Sequence, residues 1–174
     1  QALTLDELSF LLWATQGTRQ VTPESARSLR TVPSAGARHP FETYLLIQHV
    51  EGLEAGLYRY LPLAHKLHLV RQDAALPEQV NEACLGQYVV DSAAVFIWTV
   101  LPYRTEWRNT ILSHKMMAIE AGHIFQNLYL AATAIGAGVC AIGAFQQAEV
   151  DALLEVDGVV EFAIYMARLG KLPM

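Results

Sequence analysis

Two separated stretches of the chain carry residue types that let a backbone approach a ligand closely, and a third place carries a lone cation. Residues 33–40 read Pro-Ser-Ala-Gly-Ala-Arg-His-Pro, and residues 141–145 read Ala-Ile-Gly-Ala-Phe. Small residues leave backbone amides bare, so both stretches could lie against a flat ligand. A lone cation, Lys171, follows the last predicted strand. Together these features suit a planar, phosphorylated cofactor, although each stretch is also compatible with an ordinary turn.

A glycine motif at 136–141 suggests a different cofactor. Gly136-Ala-Gly-Val-Cys-Ala141 matches G-x-G-x-x-A. That fingerprint binds a dinucleotide only when it follows a strand and opens a helix, because the helix N-terminus holds the pyrophosphate. The predicted order here is reversed, so Gly136 is interpreted as the end of a helix instead.

Histidines and cysteines offer little metal or thiol chemistry. His65 and His68 are three residues apart on a predicted strand and point to opposite faces, so no metal site is predicted. Cys84 and Cys140 lie in apolar stretches without C-x-x-C spacing. Two reduced, inert core thiols are predicted, with one disulfide as the alternative.

The elements that must position these residues begin with a capped helix. Thr4 and Glu7 form a capping box, leucines follow at helical spacing, and Gly17 ends the helix. Residues 18–40 lack periodicity and are predicted to form a long irregular segment, which in compact domains is usually functional.

The rest of the chain alternates between strand-like and helical patterns. Apolar stripes and turn residues predict strands at 43–50, 56–60, 66–70, 92–101, 139–145 and 161–169 and helices at 77–86, 110–135 and 149–154. The order lacks strict βαβ alternation, so we expect one α+β domain over 1–174 whose sheet is not all parallel.

Composition narrows the classes of function. The net charge of −5 argues against a nucleic-acid-binding protein. Hydrophobic residues make up 53% of the 174 residues. Either the core is large for this length, or an apolar surface is covered by a partner or cofactor, and we favour the second explanation. No signal peptide opens the chain, and the longest apolar stretch, 131–145, is too short to span a bilayer. We expect a soluble, cytoplasmic protein.

Long segments of the chain resemble the nitroreductase superfamily, and within it the SagB-type dehydrogenase branch. The resemblance covers nearly the whole chain and rests most on the PSAG and EAGH-x-x-QNL motifs. The matching segments, in family order, are 3–17 (LTLDELSFLLWATQG), 33–42 (PSAGARHPFE), 56–60 (GLYRY), 120–128 (EAGHIFQNL), 136–145 and 157–161 (DGVVE).

This resemblance implies an α+β nitroreductase-like fold, with a mixed, mostly antiparallel sheet flanked by helices. It also implies an intertwined homodimer with one FMN at each of two interface sites, and helix 110–135 in the dimer core. A homodimer would account for the apolar composition.

The resemblance further assigns roles to individual residues. Gly143 and Ala144 would offer backbone amides to the flavin N5 and O4 from one subunit, which would stabilise the electron-rich reduced ring. Lys171 would meet the phosphate, and Gln87 the pyrimidine edge. The cofactor-binding set implied in this way is Pro33, Ser34, Ala35, Gly36, Gln87, Ala141, Ile142, Gly143, Ala144 and Lys171.

On the substrate side, Tyr103 and Phe145 are expected to face the reactant. Arg108 and His114 join Gly143 and Ala144 as candidate catalytic residues, since a histidine there could donate a proton near neutral pH. The alternative for His114 is a surface or dimer-interface residue. For Glu120 a structural hydrogen bond or ion pair is expected, and for His123 a place in the core.

Two departures from the family pattern bear on function. Family members begin with an Arg-Arg-Ser-type segment that clasps the FMN phosphate, and this sequence starts at Gln1 just past it. We therefore expect the clasp to be absent from this sequence, either because the segment is removed or unseen or because phosphate binding here is weaker. The Lys-Tyr pair of the azoline oxidases is replaced by Arg108-Asn109. This disfavours an azoline oxidase and favours a stand-alone reductase or dehydrogenase.

The sequence therefore favours an FMN-dependent oxidoreductase that passes hydride from NAD(P)H to a small organic acceptor. The first alternative is an FMN-dependent oxidase or dehydrogenase of a peptide or small molecule that uses oxygen. An alternative of another class is a flavin-binding or partner-binding module without turnover.

Overall fold

The computed structural model describes residues 2–22 and 27–172. Within them the helices are α1 (Leu5–Gln16), α2 (Leu76–Ala83), α3 (Tyr103–Asn109), α4 (Ser113–Ala134) and α5 (Gln147–Leu153), with short 3-10 turns at Ala35–Ala37 and Thr110–Leu112. The strands are β1 (Thr18–Thr22), β2 (Arg27–Arg30), β3 (Phe41–Ile47), β4 (Gly56–Leu61), β5 (Lys66–Arg71), β6 (Ala94–Val100), β7 (Ala137–Ile142) and β8 (Phe162–Lys171).

Helix α1 begins at the predicted capping box. The Thr4 hydroxyl accepts a hydrogen bond from the Glu7 amide, and the Glu7 carboxylate accepts one from the Thr4 amide. Two N-terminal amides that the helix cannot pair internally are thereby satisfied. Leu8 and Leu11 are fully buried on the inner face, so the helix is fixed both at its end and along its side.

Six strands form the central sheet in the order β5-β4-β3-β6-β8-β7. Every ladder between these strands is antiparallel. A lone parallel bridge joins Leu3 to Val50. This is the α+β architecture with a mostly antiparallel sheet that the sequence predicts.

The middle strands β3 and β6 are buried over all seven residues each. Alternate side chains face opposite sides of a sheet, and the two faces have separate cores. Leu45 and Trp98 pack on the side covered by α1 and α4, whereas Leu46 and Ile97 pack on the side covered by α2 and α5. The predicted strands 43–50 and 92–101 are therefore confirmed, and together they form the centre of the fold.

The prediction of an irregular segment over 18–40 is wrong for its first half. Strands β1 and β2 pair as an antiparallel hairpin, with Thr22 opposite Arg27. Residues 23–26 lie outside the described part. The hairpin carries mostly polar side chains, so period-2 hydrophobic patterning could not reveal it. Residues 33–40 do form an irregular loop.

The predicted helix over 110–135 is confirmed as α4, Ser113–Ala134, with a 3-10 turn at Thr110–Leu112 in place of its first residues. Thr110 has φ of 49°, a left-handed conformation that an α-helix cannot contain. The chain therefore turns between α3 and α4. The predicted strand 139–145 also ends early, at Ile142, which leaves residues 143–146 without a ladder.

Two residues that were predicted to lie in the core are not buried in the single chain. Cys140 and His123 are both exposed, whereas Cys84 is buried, and burial raises the pKa of its thiol to about 11. The buried stripe of α4, which includes Met117, Ile124 and Leu128, packs on the core of its own chain. His123 lies on the opposite side of that helix. Among the described helices, none has the length and apolar content that crossing a membrane requires.

Candidate functional site

The loop between β2 and β3 has an unusual backbone. Gly36, Ala37 and His39 have φ of 65°, 54° and 47°, all in the left-handed region. For residues other than glycine this conformation costs on the order of 1–3 kcal/mol and persists only where the surroundings impose it. Such clusters concentrate at ligand sites, and this one follows Pro33 and Ser34, the first predicted cofactor residues.

Side chains from three parts of the chain impose this loop conformation. Glu120 on α4 accepts a hydrogen bond from the Ala35 amide at 2.7 Å, and Ser34 Oγ accepts one from the His39 amide at 2.9 Å. Arg104 on α3 donates to the His39 carbonyl at 3.2 Å. The structural hydrogen bond expected for Glu120 is confirmed.

Arg108 lies directly beside this loop. A Cβ atom built on Gly36 would be 3.5 Å from Arg108 Cζ. The last turn of α3 therefore carries a cation to the residues predicted to line a cofactor. The structure brings these two sequence-predicted features together.

A second strained segment lies beside residues 143–144. Leu85, Gly86 and Tyr88 have φ of 57°, 73° and 57°. Between them, Gln87 Nε2 donates to the Ala144 carbonyl at 2.7 Å and to the Cys84 carbonyl at 2.8 Å. Gln87 therefore holds the 143–144 segment against the end of α2. Its predicted contact with a pyrimidine edge stays a prediction.

The 143–144 backbone is open on its outer side. Gly143 and Ala144 are exposed, and a Cβ built on Gly143 meets no atom within 4 Å. Neither amide donates a hydrogen bond to any residue in 2–22 or 27–172. A flat group with hydrogen-bond acceptors at its edge could approach these amides, so the residues present fit a flavin ring.

Lys171 is already engaged within the chain. Its ammonium group donates to Glu7 Oε1 and, at 2.9 Å, to the Ile135 carbonyl. The hydrogen bond from Lys171 is the main cause that lowers the pKa of Glu7 below its usual range. Lys171 also lines a cavity of about 300 Å³ together with Cys140 and Gly170. Its assignment to a phosphate stays a prediction.

The remaining predicted residues occupy different surroundings. Tyr103 is 74% exposed and lines a cavity of about 350 Å³ next to the 33–39 loop. Phe145 packs half-buried against the core on the α2 and α5 side. His114 is exposed and lies 3.6 Å from Glu106, in line with the surface alternative. In β7, Ala141 is half-buried and Ile142 is buried.

The two groups of predicted residues adjoin different strands: the loop 33–39 precedes β3 and residues 143–144 follow β7, with β6 and β8 between those strands. The loop 33–39 is held by α3 and α4, whereas 143–144 is held by the end of α2. Among the described residues, no hydrogen bond links the loop to the 143–144 segment.

Sequence reasoning missed the arginines around the 350 Å³ cavity. Arg27, Arg30, Arg38 and Arg104 line it, with Trp107 on one side. A signal was present: residues 18–40 contain four arginines, although the whole chain has only 12 lysines and arginines. Because residues 18–40 were predicted to be irregular, no predicted hairpin placed these arginine side chains on one side of the loop.

Comparison with known proteins agrees with this architecture. The sequence profile described as the Nitroreductase family matches residues 1–171. A candidate nitroreductase of Methanocaldococcus jannaschii is 34% identical over 97% of this chain and 81% of its own length. The trifolitoxin-processing protein TfxB of Rhizobium leguminosarum bv. trifolii is 30% identical over 93% of this chain and 46% of its own.

Solved structures share the fold. A candidate nitroreductase from Anabaena variabilis superposes with a TM-score of 0.86 at 28% identity, over 94% of this chain and 34% of that one. The Escherichia coli microcin synthetase McbBCD complex, with truncated pro-MccB17 bound, gives 0.83 at 20% identity, over 100% of this chain and 66% of that one. The chain thus spans about a third of the Anabaena protein and less than half of TfxB.

The fold, the two strained loops and the matched length of sequence lead to one assignment. The chain belongs to the nitroreductase family, whose members are oxidoreductases that generally depend on a flavin.

Proposed function

We propose that this protein is an FMN-dependent oxidoreductase that passes hydride from NAD(P)H to a small organic acceptor. The observation that carries the proposal is the 143–144 backbone, open on its outer side and held from behind by Gln87. A bound flavin would supply the hydride chemistry itself, and the protein supplies position and electrostatics.

The roles of the chain's own residues follow from their geometry. The exposed amides of Gly143 and Ala144 offer fixed dipoles that favour negative charge at the edge of a bound ring. The loop 33–36 presents a surface of small residues, fixed by Glu120. Arg108 adds a positive charge beside Gly36. None of these groups must reorganise when charge develops.

We also propose that the working unit is a homodimer in which the loop 33–36 of one subunit faces the 143–144 segment of the other. Two facts support it: β6 and β8 separate the strands that adjoin the two segments in one chain, and the outer side of α4 and its preceding turn carries several exposed apolar side chains. Ile111, Leu112, Ile119, Tyr129 and Leu130 are 84%, 59%, 48%, 48% and 60% exposed. Exposed apolar patches of this kind mark interaction surfaces.

A peptide-oxidising activity is the second candidate, and the comparisons favour it. TfxB is named as a trifolitoxin-processing protein, and the microcin synthetase structure contains a bound pro-peptide. In such an activity the peptide would supply the hydride in place of NAD(P)H, and oxygen would accept the electrons in place of the small organic acceptor. The feature that favours the reductase is the Arg108-Asn109 pair, which stands at the positions of the azoline oxidases' Lys-Tyr pair.

Flavin binding tests the proposal most directly. The purified protein should show the visible absorption of oxidised flavin or take up added FMN. Gly143→Val should lose this uptake, because its side chain would occupy the open space beside the amides. Ala148→Val, at an exposed position of α5, is the matched control and should bind FMN as the parent does. Equal FMN uptake by Gly143→Val would contradict the placement of the ring.

Turnover then separates the two activities. Anaerobic addition of NADPH or NADH should bleach the flavin of the reductase, and a nitroaromatic acceptor should restore its colour. Oxygen consumption with a thiazoline-containing peptide, without bleaching by either nucleotide, would select the second candidate.

The proposed homodimer has its own test. Leu130→Glu should yield a monomer in light scattering, and an unchanged dimer would place the interface elsewhere.

A further inference from the structure

A cavity of about 350 Å³ lies between the β1–β2 hairpin, the loop 33–39 and α3. Its walls come from Arg27, Ser28 and Arg30 on β2, from Ala37, Arg38 and His39 in the loop, and from Tyr103, Arg104 and Trp107 on α3. The proposed flavin-facing residues 33–36 directly precede one wall. The cavity is therefore a neighbour of that site, built from different side chains.

The cavity is strongly positive although the whole chain carries a net charge of −5. Four arginines line it, and in 2–22 and 27–172 only Glu42 forms an ion pair with any of them, at 2.5 Å from Arg104. Glu42 also pairs with Arg59 at 3.2 Å, so a single carboxylate is shared between two guanidinium groups. The positive charges of Arg27, Arg30 and Arg38 are left without a carboxylate partner in the part of the chain described.

Two of these arginines also have a buried hydrogen-bond donor that is not satisfied within the described residues. Arg30 and Arg38 each have a buried Nε atom without a hydrogen-bond partner. A buried polar group without a partner is costly and calls for an explanation by a ligand or water. His39 does not add charge here: burial, aided by Arg30 and Arg104, lowers its pKa to about 4, and Ser28 O accepts a hydrogen bond from its ring at 2.9 Å.

The side chains above the cavity suit an organic anion. The Arg38 guanidinium lies 4.4 Å from the centre of the Trp107 ring. Stacking on the ring face leaves the guanidinium edge free for bidentate binding of a carboxylate or phosphate. Trp107 and Tyr103 are 56% and 74% exposed, so a planar group attached to the anion could lie against them.

From these features we infer that the cavity is an anion subsite that binds the carboxylate or phosphate of one of the two redox reactants. Arg38 and Arg27 are its specificity-determining residues, whereas Arg30 and Arg104 are fixed by Gln16 and Glu42 and shape the cavity. The role in turnover rests on the proposed oxidoreductase function; the binding of an anion does not.

Titration with inorganic pyrophosphate at low ionic strength tests the subsite itself. Calorimetry should show saturable binding that weakens about tenfold in Arg38→Gln and in Arg27→Gln, since each removes one charge-assisted contact. Arg19→Gln is the matched control, because Arg19 is exposed on β1 and does not line the cavity. Binding that is equal in the parent and Arg38→Gln would overturn the inference, whether or not the protein turns over.

Two substrate pairs separate the sources of the anion. If the 2′-phosphate of the nicotinamide donor binds, Arg38→Gln should raise the KM for NADPH about tenfold and leave that for NADH unchanged. If the acceptor's carboxylate binds, the KM for 4-nitrobenzoate should rise while that for the neutral 4-nitrobenzamide stays the same. In both cases kcat should be unaffected.

Equal effects on NADPH and NADH, together with equal effects on 4-nitrobenzoate and 4-nitrobenzamide, would overturn the assignment to a reactant. So would a loss of FMN retention with normal riboflavin retention, because the arginines would then serve the cofactor's own phosphate. If the protein binds pyrophosphate through Arg38 but never takes up flavin, the anion subsite stands and the proposed oxidoreductase function fails.

Discussion

The Glu120 carboxylate of α4 accepts a hydrogen bond from the Ala35 amide at 2.7 Å, across 85 positions of sequence. Glu120 is 5% exposed, so this contact is shielded from water. Ala35 immediately precedes the left-handed residues Gly36 and Ala37. A single carboxylate on the longest helix therefore fixes the start of the loop that we propose to line the flavin.

Replacement of Glu120 should loosen this loop. Glu120→Ala leaves the Ala35 amide without its acceptor, and we expect the free energy of unfolding to fall by about 1–3 kcal/mol. FMN affinity should fall as well, because the loop loses its fixed conformation. Urea unfolding and FMN titration measure the two effects.

Two variants serve as controls for Glu120. Glu120→Gln keeps an acceptor oxygen and should retain more stability and more FMN affinity than Glu120→Ala. His123→Ala, at an exposed position of the same helix, should change stability by no more than about 0.5 kcal/mol. Normal FMN affinity in Glu120→Ala would show that the loop does not depend on this contact.

Gln87 should prove to be a positioning residue for the 143–144 segment. Gln87→Met has a similar length but cannot donate to the Ala144 and Cys84 carbonyls. We expect stability to fall by about 1–2 kcal/mol, and amide hydrogen exchange to accelerate at residues 143–145. Gln79→Met, at an exposed position of α2, is the control. Unchanged exchange in Gln87→Met would mean that β7 alone holds the segment.

Much of this fold could be predicted from the sequence, because local and global preferences agree there. The capping box before α1 and the apolar run of β6 each have a physical signal that burial amplifies. The Pro33–Gly36 segment was also found, since its small residues are unusual between two regular elements.

The rest could not be predicted, for identifiable reasons. Ala37, Leu85 and Tyr88 adopt left-handed conformations that their residue types do not favour. Tertiary contacts impose these conformations, and only the fold reveals the contacts. The β1–β2 hairpin has mostly exposed, polar side chains. It is recognised by its backbone hydrogen bonds, because its sequence has no alternating hydrophobic pattern. The arginine cavity depends on that hairpin.

The ion pair between Lys171 and Glu7 allows the predicted phosphate role to be tested. Lys171→Met should weaken FMN binding and leave riboflavin binding unchanged, because only FMN carries the phosphate. Glu7→Gln frees the Lys171 ammonium from its carboxylate partner, so its FMN affinity should equal or exceed that of the parent. Equal affinities for FMN in Lys171→Met and the parent would restrict Lys171 to a structural role.

The same ion pair should make the free energy of unfolding depend on pH in the acidic range. The pKa of Glu7 is lowered in the folded protein, mainly by its hydrogen bond from Lys171. The contribution of the Glu7 carboxylate to the free energy of unfolding is therefore present above its ordinary pKa of about 4.5. This contribution is lost as the pH falls below that value. The stability difference between the parent and Glu7→Gln should shrink as the pH is lowered from 6 to 3, as measured by thermal unfolding. A constant difference would contradict the assignment.

His39 should produce a second, separate loss of stability at higher pH. Its pKa is lowered from 6.5 to about 4 by burial and by the nearby Arg30 and Arg104. The unfolded chain therefore binds a proton between pH 6.5 and 4 that the folded protein excludes. The contribution of His39 to the free energy of unfolding is therefore fully present above pH 6.5. It is lost as the pH falls toward 4, by about 3 kcal/mol in all.

His39→Asn tests this assignment because asparagine tolerates the φ of 47° at this position. The variant loses the ring's packing and so should be less stable than the parent at pH 7.5. Its urea-unfolding free energy should, however, depend less on pH between 7 and 4.5, since the titrating group is gone. Acidic groups such as Glu7 titrate alike in both proteins and cancel in the difference. Parallel pH profiles would show that His39 takes up its proton in the folded state as readily as in the unfolded chain.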